Sequence, residues 1–78
     1  MSRQAIQKAV VEELRQYGRP MSVRELVERI RRDRPELKQV ADFDVRSAVL
    51  AMTAIGAIES TATNQVAVPA DQAAPARG

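Results

Sequence analysis

Side chains able to carry chemistry are few in this chain of 78 residues, and the missing types decide more than those present. There is no cysteine and no histidine, which excludes disulfide staples, thiolate nucleophiles and the usual zinc ligands in one step. Serines occur, but none lies in a G-x-S-x-G elbow, and no imidazole exists to activate a hydroxyl. Gly18, Gly56 and Gly78 are too far apart to build a phosphate-cradling loop. Two carboxylate pairs remain, Glu12-Glu13 and Asp42-Asp44. The first fits a solvated helix surface and the second a helix cap, so neither reads as an acid/base pair. The chain is expected not to be an enzyme and to use no cofactor or metal.

Binding is what this leaves. Twelve bases against ten acids give a formal net charge of +2, a mild bias toward a polyanionic partner. Arg24, Arg29, Arg31, Arg32, Arg34 and Lys38 fall in one stretch, interleaved with Glu25, Glu28, Asp33 and Glu36. Such a mixture suits a solvated helix face laced with ion pairs as well as it suits a phosphate patch. No stretch approaches the roughly 20 apolar residues that would span a bilayer, and a cytoplasmic protein is expected.

The elements that must position these residues are legible as changes of hydrophobic period. Ser2 is the predicted N-cap of a first helix running to about Tyr17, with Ile6, Val10, Leu14 and Tyr17 on one face and Gly18 ending it. Arg19-Pro20 forces an extended link, after which Met21-Ser22 suits a short strand. A second helix opens on a capping box, Ser22 with Glu25, and Met21 is placed to staple onto Leu26. Val23, Leu26, Val27 and Ile30 form its apolar stripe, leaving Arg24, Glu28, Arg29, Arg31 and Arg32 outward. Pro35 can begin a further helical turn, with Leu37 and Val40 at the core edge. Asp42 is the predicted N-cap of a third helix over about 43–55, with Asp44 in its first turn. Val45, Ala48, Val49, Met52 and Ile55 share its apolar face. After Gly56, residues 57–61 and 65–68 read as two strands joined by Ala62-Thr63-Asn64. Residues 70–78 lack any usable period and are expected to be a disordered tail behind a domain of residues 1–69. The predicted core is Ile6, Val10, Leu14, Val23, Leu26, Ile30, Val45, Val49, Met52, Ile58 and Val66.

The run Val45-Arg46-Ser47-Ala48-Val49-Leu50-Ala51-Met52, followed by Gly56-Ala57-Ile58, resembles the winged helix-turn-helix family, and its small single-domain bacterial or phage-type members in particular. The spacing of valine, the apolar positions after it, the glycine and the apolar pair matches that family's third helix and first wing strand. The resemblance implies an α+β fold of three helices with a C-terminal two-stranded β-hairpin wing.

It also implies binding to double-stranded DNA, as a small transcriptional regulator or DNA-associated accessory factor with the third helix as recognition helix. In that family's manner Arg46 would enter the major groove with help from Ser47 and Thr53, while Arg24 and Lys38 hold phosphates. Base edges are discriminated best by Arg, Lys, Asn and Gln; of these the outward positions Arg46, Ser47, Leu50, Ala51, Thr53 and Ala54 supply only one. The wing tip, Thr63, Asn64 and Gln65, carries no base. The alternative expectation is therefore a protein-interaction module, or a homodimer, that uses Leu50, Ala54 and Ile55 and binds no DNA.

Overall fold

A computed structural model describes residues 2–61 and 65–69. The expected wing tip at 62–64 and the tail at 70–78 lie outside the described residues. Three helices and a small antiparallel sheet form the α+β fold expected of the sequence: α1 Arg3–Tyr17, β1 Met21–Ser22, α2 Val23–Asp33, a 3-10 turn Pro35–Leu37, α3 Asp42–Ala54, β2 Glu59–Ser60 and β3 Gln65–Ala67. β3 lies between the other two strands. It pairs Val66 with Met21 and Gln65 with Ser22 on one side, and Ala67 with Glu59 and Val66 with Ser60 on the other.

Local chemistry sets the element ends. Ser2 accepts from the Ala5 amide and Ser22 from the Glu25 amide, satisfying amide groups that the first turn of each helix leaves unpaired. α1 ends where the Gly18 amide donates to the Leu14 carbonyl, and α3 where the Ala57 and Gly56 amides donate to Met52 and Thr53. Both glycines stand at φ near +80°, Gly18 at 76° and Gly56 at 81°, where a Cβ would meet its own backbone. The last turn of α3 is thus closed by a Schellman motif that aims the chain directly into the hairpin. α3 begins one residue differently from expectation. Its cap is Ala41, which has no side-chain bond to give, and Asp42 is its first residue. The Asp42 carboxylate instead accepts from Arg31 at 3.3 Å, and the same guanidinium donates twice to the Val40 carbonyl. Asp42 and Asp44 still lie in the first turn, where the helix dipole favours a negative charge.

The core gathers Val10, Leu26, Ile30, Val40, Val45, Ile58 and Val66, with Met21 against the sheet, all essentially without solvent contact. Every predicted core residue is in it except Val23, which is half-buried against its edge. Ile55 departs from its predicted place on the core face. It is the C-cap residue of α3, outside the helical ladder, and 79% exposed.

One buried group is polar. Glu13, expected on the solvated surface, is completely buried. The helical period explains this, because residue 13 lies seven beyond Ile6 and three beyond Val10, on the apolar stripe of α1. Its carboxylate faces Arg29 Nε at 3.4 Å and Arg34 Nε at 3.5 Å, so Arg29 does not point outward as the sequence suggested. Arg34 also reaches Glu12 at 3.0 Å, and the Arg29 guanidinium sits over the Tyr17 ring, 4.8 Å from its centre. Both contacts to Glu13 are long, and neither Nε nor either carboxylate oxygen makes a proper hydrogen bond. Desolvation is therefore incompletely offset. Burial pushes the Glu13 carboxyl above its ordinary 4.5 and the nearby Asp33 carboxylate adds to this, while Arg34 and Arg29 oppose it. Asp33 is held below its ordinary 3.8, first by the hydrogen bond from Arg32.

Two predictions come from this packing. Leu26→Ala removes a fully buried side chain and should cost about 2 to 5 kcal/mol in denaturant unfolding; an unchanged midpoint would place the wrong face of α2 inward. For Glu13, a folded-state pKa above the unfolded one means that the native state binds the proton more tightly. Its contribution to stability is full below about pH 4.5 and is lost as pH rises through the raised value. Asp33 acts oppositely, stabilising above about pH 3.8 and losing that as pH falls through its depressed value. Unfolding free energy measured against pH should decline as pH rises above about 4.5, and Glu13→Gln should flatten that decline while leaving the acid limb in place. A decline of the same slope in Glu13→Gln would show that another group causes it.

Candidate binding surface on the third helix

α3 is fixed by Val45, Ala48, Val49 and Met52, which turn inward against α1 and α2. Its opposite face is defined by what remains. Phe43, Ser47, Leu50 and Ala54 are spaced four, three and four residues apart and all are exposed, so they form one stripe along the helix, directly away from the core. Phe43 is 74% exposed and Leu50 66%, and with Ile55 just beyond the helix they are the exposed large apolar residues of the described chain. All three belong to α3 or its cap. Ala51 flanks the stripe on one side and Arg46 on the other, both exposed.

The expected nucleic-acid contacts divide. Arg24, Lys38, Arg46 and Ser47 are exposed, and none of the three bases forms an ion pair among the described residues. Arg24 sits in the first turn of α2 and Lys38 just after the 3-10 turn, and no hydrogen bond or ion pair links either of them to α3. Thr53 is half-buried, and its hydroxyl donates to the Val49 carbonyl at 2.7 Å, within its own helix. The other bases of the cluster are engaged internally: Arg29 and Arg34 on Glu13, Arg31 on Val40 and Asp42, and Arg32 on Asp33. Of the six bases in that stretch, Arg29, Arg31 and Arg34 thus serve the fold, while Arg32, 65% exposed, pairs with its neighbour Asp33 on the surface.

The expected protein contacts are all available. Leu50, Ala54 and Ile55 are exposed. Phe43 joins them and was missed by attention to residue type, although its spacing from Ser47 and Leu50 places it on the same stripe. Beside the stripe, a groove of about 590 Å³ runs between α1 and α3, with Arg3 and Gln7 on one wall and Phe43, Asp44, Ser47 and Ala51 on the other. Asp42 and Asp44 give the start of α3 a negative rim. No group of three or more His, Cys, Asp or Glu placed to hold a metal occurs among the described residues, and no helix there is long and apolar enough to cross a membrane. No protein-family model, curated protein or solved structure matches the chain.

Proposed function

We propose that this chain is a winged-helix interaction module whose contact element is the outward face of α3, and that the face is built for protein. The observation that carries this reading is the stripe itself. Phe43, Leu50 and Ile55 stand in solvent on one helix of a domain that buries its other large aliphatic side chains well, and an apolar patch of this kind marks an interaction surface. The same positions argue against base reading as the main task. A major-groove helix presents donors and acceptors to base edges, whereas here leucine and two alanines occupy the outward turns and two carboxylates stand in the first turn.

A second reading, binding to duplex DNA, has one specific observation in its favour: Arg24, Lys38 and Arg46 remain exposed and unpaired after four neighbouring arginines are engaged internally. In that case affinity would be governed by about three to five phosphate contacts, each steepening the logarithmic salt dependence by about 0.9.

The test compares the two directly. A photo-crosslinking side chain at position 50, introduced in the producing cell, should yield a discrete protein adduct, while the same group at position 24 should not. Duplex DNA titrated at low salt should leave the amide resonances of residues 44–54 in place. Shifts of those resonances on DNA that Arg46→Ala abolishes would overturn the protein-contact reading and establish the second one.

A further inference from the structure

Resting on this reading of α3, we infer that the partner of the stripe is a second copy of the chain, docked through α3 in an antiparallel two-fold pair. A two-fold contact requires a patch complementary to itself, a condition that a foreign partner does not impose. Along the stripe the side chains alternate large and small: Phe43, Ser47, Leu50, Ala54. The four, three, four spacing is that of the core positions of a coiled-coil seam. When two such stripes run antiparallel, Phe43 meets the partner's Ala54 and Leu50 meets the partner's Ser47, and the reverse pairs form by symmetry. Each large side chain has a small one opposite, so the two backbones can approach closely without voids.

Charge selects the same orientation. Asp42, Asp44 and Arg46 lie in the first half of α3, and residues 47–55 carry no charge. Antiparallel pairing sets each charged half beside the partner's uncharged half and brings the positive dipole end of one helix near the negative end of the other. Parallel pairing would gather the four carboxylates of both helix starts, Asp42 and Asp44 from each chain, at one end and lay the two helix dipoles side by side.

Size sets the strength. A helix of 13 residues is about 20 Å long. One face of it, with the rim formed by Arg3 and Gln7, covers on the order of 400 Å² per chain, against about 800 Å² per partner in a stable complex. The dimer is therefore reversible and dissociates on dilution.

Sedimentation of the full chain from micromolar to millimolar concentration tests the proposal. The average mass should climb from 8.6 kDa toward twice that value. Phe43→Ala leaves a gap and Ala54→Phe sets large against large, so each alone should weaken association about tenfold. The double variant Phe43→Ala with Ala54→Phe restores a large-on-small pair in the antiparallel register and should recover association. Both positions are solvent-facing, and circular dichroism verifies that each of the three variants is folded. A wild-type chain that stays monomeric at millimolar concentration overturns the proposal, as does a dimer indifferent to both single changes or one that the double variant fails to restore. Such a result leaves the broader reading standing if the crosslink at position 50 captures a different protein, and removes both if position 50 captures nothing.

Discussion

Everything in this domain depends on how α3 divides its two sides. Val45, Val49 and Met52 are held chiefly by α1 and α2, and the sheet residues Met21, Ile58 and Val66 complete the same core. Once that face is committed, the rest is constrained. The Schellman closure at Gly56 fixes where the chain leaves the helix. Ile58 then drops into the core, and the hairpin returns to pair Val66 with Met21. The outward stripe is what the inward one leaves over, so the packed face and the exposed face are two consequences of one helical period.

The contact between α1 and α2 is made in a different way. Apolar packing carries most of it, but Glu13 brings a carboxylate into the same layer, and Arg29, Arg34 and Tyr17 close around it. Isolated burial of that charge would be prohibitive; two arginines with partly exposed outer edges make it tolerable without satisfying it fully. The basic stretch of α2 is best understood from here. Arg29 and Arg31 hold a neighbouring helix and a loop carbonyl, and among the described residues Arg24 and, just beyond the helix, Lys38 face outward without an ion pair.

Much of the fold was legible because its punctuation is local. Ser2, Ser22, Gly18 and Gly56 act within a few residues of themselves, so their roles can be read without knowing the tertiary structure. Two of the misreadings, Glu13 and Asp42, share a cause: each needed a contact from far along the chain. Glu13 lies at an apolar position by period but is charged by type, and only the arrival of Arg29 and Arg34 decides in favour of burial. Asp42 is an ideal cap by type, yet Arg31 claims its carboxylate from eleven residues away. Ile55 continues the core spacing, but the helix stops one residue before it. For the binding surface, the exposed Leu50 and Ala54 followed directly from the assigned core face, whereas the engagement of Arg29, Arg31 and Arg34 within the fold could not be seen in a string of charges.

Ser22 belongs to two elements at once. Its backbone is paired with Gln65 in the sheet, while its hydroxyl caps the first turn of α2. Met21, its neighbour, is simultaneously a strand residue paired with Val66 and part of the apolar floor on which α2 begins. The strands of the sheet, two or three residues each, are too short to persist by themselves. Local opening of this protein therefore does not peel the hairpin from an intact helical body. Separation of β3 from β1 exposes Met21 and frees the segment that caps α2, so the hairpin and the first turn of that helix form a single cooperative unit of fluctuation.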